Sequence, residues 1–146
     1  MLQAFQKQYL VFAVLGVFAT VLPAQDAHRE LLRGDRAYRQ NNYAEAEQYY
    51  RQAESKKSGA QSWYNLGNSL YQQEQYEEAS SYFRKAAEAS ADPDMRARAW
   101  HNLGNAQFRQ GDLPAAIEAY KNALRNNPQD AEARHNLALA LKATPS

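Results

Sequence analysis

Apolar and small residues recur along this chain with the spacing of helix faces, and polar or turn-forming residues punctuate them. Leu31, Leu32 and Ala37 mark a first helix over 26–40. Asn41-Asn42 ends it, both residues being tolerant of the left-handed backbone of a helix stop. Tyr43 to about Lys57 reads as its partner, with Ala46, Tyr49, Tyr50 and Ala53 at helical spacing and Ser58-Gly59 as its close. A second pair follows: 60–73 with Trp63, Leu66, Gly67 and Leu70 on one side, then 76–90 with Ala79, Phe83 and Ala86 inward. Asp92-Pro93 opens a third pair, since Asp is a preferred N-cap and Pro suits the first helical turn. Gly111 supplies the positive φ of the next turn. The return helix covers 114–125, and Asn126-Asn127-Pro128 stops it. A lone helix from Asp130 closes the pattern, with Arg134, His135 and Lys142 giving it the polar surface of a cap.

One stretch repeats. Trp63-Tyr64-Asn65-Leu66-Gly67-Asn68 returns as Trp100-His101-Asn102-Leu103-Gly104-Asn105, 37 residues later. In both copies an Ala follows the Gly by 12 residues and an aromatic follows that Ala by four: Ala79 and Phe83, Ala116 and Tyr120. Gly34 to Gly67 is 33 residues and Leu103 to Leu137 is 34, so the underlying period is 34 and the early start at Pro93 lengthens one unit. Such self-similarity is the signature of a solenoid. Gly67 and Gly104 lack a Cβ and let each helix approach its partner, while Trp63, Phe83, Trp100 and Tyr120 are expected to fill the space between pairs. On that expectation Trp100→Ala costs about 3–5 kcal/mol. The reading is an all-α solenoid of three helix pairs plus a capping helix, with units at about 27–58, 60–91, 93–128 and 130–143 of a body spanning 25–146.

The leader reads differently. Residues 1–8 are polar with Lys7 as the one charge, and Tyr9 to Leu22 contains none. Those 14 residues suit a signal-peptide core and fall short of the roughly 20 needed to span a bilayer. Residues 1–24 are therefore expected to form an N-terminal apolar signal helix, cleaved after Ala24 or retained as an anchor, with the body exported to the periplasm. Cysteine is absent, which excludes disulfides and thiolate metal sites. Lys and Arg number 17 against 16 Asp and Glu. With Lys7 set aside the body is neutral, without the electrostatic footprint of a nucleic-acid binder. His28, His101 and His135 are too scattered for a metal pair. No nucleophile sits in a catalytic arrangement, and no glycine-rich loop exists to cradle phosphate. The sequence predicts neither metal nor cofactor, and no enzyme.

The repeat resembles the tetratricopeptide repeat (TPR), whose signature is W-x2-L-G-x2-Y, then A-x3-F, then P. Trp63, Leu66, Gly67, Ala79 and Phe83 match it, as do Trp100, Leu103, Gly104, Ala116, Tyr120 and Pro128. The first unit matches at Gly34, Ala46 and Tyr50, and the signature Tyr is displaced by one to Tyr38, Tyr71 and Phe108. More narrowly, an apolar leader, Gly34-Asp35-Arg36-Ala37-Tyr38 and the run Asn127-Pro128 to Asn136-Leu137-Ala138 resemble the exported TPR component of bacterial Bat (aerotolerance) operons. That resemblance implies a periplasmic setting beside von Willebrand A-type membrane proteins.

The TPR resemblance further implies a concave groove lined by the first helix of each pair. Mapped onto it, the candidate peptide-binding residues are Tyr38, Arg39, Tyr64, Asn68, Tyr71, Arg98, His101, Asn102, Asn105, Phe108, Arg109 and Asn136. Asparagines offer a donor and an acceptor to an extended backbone. The groove lysines of TPR carboxylate clamps are replaced by Tyr64 and His101. The expected function is a protein-interaction scaffold that binds a peptide segment or membrane-associated partner. The alternative is end-to-end self-assembly through an apolar end near Leu137 and Leu141.

Overall fold

The computed structural model describes residues 24–145. The expected leader helix lies outside them. Among the described residues every regular element is α-helical. Helix α1 covers residues 24–39 of the described chain. It is followed by α2 (Tyr43–Lys56), α3 (Ala60–Gln72), α4 (Tyr76–Ala89), α5 (Pro93–Gln110), α6 (Leu113–Asn126) and α7 (Ala131–Ala143). From α2 onward each helix packs on the next in sequence, and α3 meets α5 and α5 meets α7 across the array; α1 meets α2 where Tyr50 lies on Gly34 and Asp35. No described helix is long and apolar enough to cross a membrane.

Local chemistry sets the boundaries. The Asp92 side chain accepts from Asp94 N with Pro93 in the first turn, as the Asp-Pro pair predicts. Asp112 and Asp130 cap α6 and α7 through the amides of Ala115 and Ala133. Gly111 takes the left-handed conformation at φ 81°. The equivalent stops of α1 and α3 fall on Asn41 and Glu74, each at φ 61°. Asn adopts this region readily and Glu does not.

The packing within pairs is more specific than the periodicity shows. A Cβ added at Gly34 would lie 2.4 Å from the Tyr50 ring, at Gly67 2.6 Å from Phe83, and at Gly104 2.5 Å from Tyr120. Each signature glycine is therefore the seat of an aromatic ring 16 residues downstream, and the first unit obeys the same rule although its sequence matches least. Ala46, Ala79 and Ala116, one turn before those rings, are fully buried.

Two expectations change. Trp63 and Trp100 are only partly buried, flanking the small cluster of Ala86, Ala87 and Ala99. The fully enclosed large rings are Tyr50, Phe83 and Tyr120. An indole carries a polar N–H that wants a partner. That of Trp63 donates to Glu54 Oε1 at 2.8 Å, which holds the ring at the edge. The cost of truncating Trp100 accordingly drops below the value for a core aromatic. Leu32, one of the apolar positions that mark α1, is 54% exposed; the inner face is made by Ala27, Gly34 and Ala37, with Leu31 partly buried.

Candidate functional site

Helices α1, α3, α5 and α7 line one side of the array, and three adjoining recesses make a groove along it. The first is bounded by Asp35, Tyr38, Arg39, Asn65 and Asn68. The second, about 350 Å³, is bounded by Tyr38, Tyr64, Asn68, Tyr71, Asn102 and Asn105. The third, about 100 Å³, is bounded by Tyr71, Asn105, Phe108, Arg109, Asn136 and Leu139. Ten of the twelve sequence-predicted groove residues thus border one continuous feature.

The remaining two stand apart. Arg98 is exposed on the first half of α5, with its guanidinium 5.7 Å from the centre of the Tyr64 ring. His101 is 8% exposed, and its Nδ1 lies 2.9 Å from Asp130 Oδ2. Its ring meets Tyr120 edge-on at 6.1 Å. The structure places His101 at the joint between α5 and α7, a packing position rather than a groove wall.

A hydrogen-bond ladder crosses the groove floor. The residue after each signature glycine accepts from a residue of the next unit. Asp35 Oδ1 accepts from Asn65 Nδ2 at 3.2 Å and from Tyr50 Oη at 2.8 Å. Asn68 Oδ1 accepts from Asn102 Nδ2 at 2.9 Å. Asn105 Oδ1 accepts from Asn136 Nδ2 at 3.0 Å and from Tyr120 Oη at 2.9 Å. Asn65, Asn102 and Asn136 are therefore bridges between units. Asn102 also reaches Tyr64 Oη at 3.2 Å.

Within the ladder Asn68 and Asn105 are acceptors. Their oxygens are engaged, so their Nδ2 groups are turned away from the bridges, and neither donates to a protein group among the described residues. The floor offers a ligand the Nδ2 donors of Asn68 and Asn105 beside the Oδ1 acceptors of Asn102 and Asn136, with the guanidinium groups of Arg39 and Arg109 at its edges. Asp35 and Glu132 are the carboxylates on this side. Burial raises the phenol pKa values of Tyr38 and Tyr71, which stay neutral and present half-buried ring surface. These two rings are buttressed edge-on by Tyr43 at 5.1 Å and Tyr76 at 5.2 Å. Sequence mapping to the groove did not include Tyr43 or Tyr76, although both lie five residues after a displaced signature Tyr.

Comparison with known proteins agrees with this architecture. Residues 60–129 match the family model described as Tetratricopeptide repeat. The first TPR of Spaghetti (RPAP3), bound to the HSP90 peptide SRMEEVD, is 21% identical, with 82% of this chain and 94% of that one covered at a TM-score of 0.77. The Arabidopsis OM64 TPR domain is 17% identical, with 84% and 99% covered at 0.78. The second TPR domain of human RPAP3, in complex with the HSP70 peptide SGPTIEEVD, is 21% identical, with 82% and 98% covered at 0.76. At these identities the likeness is one of fold: the described residues share the α-solenoid fold of those TPR domains. No curated protein matches the sequence.

Proposed function

We propose that this chain is a non-catalytic interaction scaffold that holds an extended peptide segment of a partner protein in the groove of α1, α3, α5 and α7. The observation that carries the reading is the pair of Asn68 and Asn105 amides, whose oxygens are taken up by the ladder and whose Nδ2 donors are left over on the groove floor. Peptide carbonyls and carboxylates are the matching acceptors. Two of the structural neighbours hold peptides containing the acidic run EEVD, in keeping with an acceptor-rich ligand.

Hydrogen bonds do not suffice by themselves. Four such contacts at about 0.5–1.5 kcal/mol each give about 2–6 kcal/mol, against an association cost of about 4–15 kcal/mol. Tyr38, Tyr64, Tyr71 and Phe108 supply the apolar contact that makes up the difference, and a single short segment binds no tighter than micromolar. The leader and the resemblance to the Bat component support a periplasmic setting with von Willebrand A-type membrane proteins as partners.

The ladder also shapes the test. Alanine at Asn68 or Asn105 would remove bridges as well as donors. Asp keeps the bridging oxygen and replaces the donor with an acceptor, and the first unit already uses Asp35 in this role. An Asn68→Asp, Asn105→Asp variant should fold like the parent by circular dichroism and melt at a similar temperature. It should lose the envelope proteins that the immobilised parent captures. Equal capture by the folded double variant would remove the groove reading.

A further inference from the structure

The recess between α5 and α7 combines two chemistries that the rest of the groove keeps apart. Its apolar walls are Tyr71, Phe108 and Leu139. Leu139 is 44% exposed in a helix whose packing needs are already met by Ala133 and Ala140. Folding alone gives no reason for a large apolar side chain there. Beside these walls stand the free amide of Asn105 and the guanidinium of Arg109. Asn105, Phe108 and Arg109 are three and four residues apart and share one face of α5. Arg109 borders the recess, with its guanidinium 5.0 Å from the centre of the Tyr76 ring. It makes no ion pair among the described residues, so its charge is available.

Resting on the groove reading above, we propose that this recess selects an aliphatic or aromatic side chain lying within two residues of a carboxylate, in an internal segment of the partner. The side chain fills the space of about 100 Å³ against Leu139 and Phe108, and the carboxylate meets Asn105 Nδ2 and Arg109. An internal carboxylate fits better than a chain end for two reasons. Arg98 and Arg109 are 11 residues apart on one helix, or about 16 Å at 1.5 Å per residue, so they cannot converge on one terminal group. The groove also runs open past the exposed Leu139, and nothing there requires the ligand to stop.

The experiment uses a random twelve-residue peptide library, displayed with its carboxyl end fused, panned on the full chain. Enriched sequences are then synthesised in amidated and free-acid forms. Enrichment of Leu, Ile, Met or Phe next to Asp or Glu is expected, with equal affinity for both forms. Leu139→Asp and Arg109→Glu should each weaken binding at least tenfold. Arg109→Glu should in addition shift the preference of the acidic position toward Lys or Arg. Lys121→Glu, on the exposed side of α6, should change nothing. The inference falls if no peptides are enriched over the Leu139→Asp variant, if the pattern is absent, or if a free carboxyl terminus is required. Peptides that are lost with Asn68→Asp but held by Leu139→Asp and Arg109→Glu would overturn the recess and leave the groove standing. Peptides insensitive to all three variants would overturn both.

Discussion

At the scale of single residues, the glycine–ring contact and the ladder carry separate consequences. Gly67→Ala would place a methyl group 2.6 Å from the Phe83 ring, overpacking of a kind that costs about 1–3 kcal/mol. Phe83→Leu in the same chain should recover part of that loss, which urea midpoints of the two single variants and the double variant would measure. Phe83 is also the one seated ring without a hydroxyl. Tyr120→Phe should cost about 0.5–1.5 kcal/mol by removing a donor from Asn105, and Phe83→Tyr should gain up to a similar amount by supplying one to Asn68. A Phe83→Tyr variant less stable than the parent would show that the second pair lacks room for the hydroxyl. The sequence made Gly67, Gly104 and the aromatics legible because they recur at fixed spacing. It did not show the orientation of the asparagine amides, because a donor and an acceptor occupy one residue letter. Only the partner across the groove decides which of the two is left over.

At the scale of the element, α7 is held at its start by one carboxylate. Asp130 caps the helix through Ala133 N at 2.9 Å and meets His101 Nδ1 at 2.9 Å. Burial works to raise the carboxyl pKa, but the Ala133 amide and the His101 ring outweigh it and hold it below its ordinary value. A folded-state pKa that is depressed gives stability above the unfolded value of about 3.9 and loses it as pH falls through the folded value. Asp130→Asn keeps a capping oxygen and removes the charge. The stability difference between parent and Asp130→Asn should therefore be present at pH 6 and begin to shrink as pH falls below about 4, as followed by thermal melts. Glu30 shares the direction of shift, chiefly through the Lys56 ammonium and then Arg33, so the variant should retain a second acid-sensitive joint. The existence of α7 was legible from Asp130, Ala133 and Leu137. The role of His101 was not: the repeat aligned it with Tyr64, a groove residue, but the Asp130 carboxylate captures the imidazole at the joint.

At the scale of the whole molecule, the two ends of the array decide whether it stacks. The exposed apolar residues at the α7 end are Leu139 and Leu141, and Leu32 is exposed on α1. Apolar contact by itself would favour joining α7 of one copy to α1 of the next. Charge opposes it. The exposed side of α1 carries Arg29, Arg33 and Arg36, of which Arg29 and Arg33 are paired within their own helix and Arg36 is in no ion pair among the described residues. The exposed side of α7 carries Arg134 and Lys142, also outside any ion pair there, against one exposed carboxylate, Glu132. Like charges brought together at a contact cost several kcal/mol, more than two or three half-exposed leucines return at about 1.5–3 kcal/mol for full burial. The chain should sediment as a monomer at low ionic strength and high concentration. Arg134→Glu with Lys142→Glu should convert repulsion into attraction toward Arg36 and give concentration-dependent association that 1 M salt reverses, since the screening length there is only about 3 Å. Association of the parent at low salt would show that the apolar ends outweigh the charges and that stacking, rather than the groove, is the first property of the array to explain.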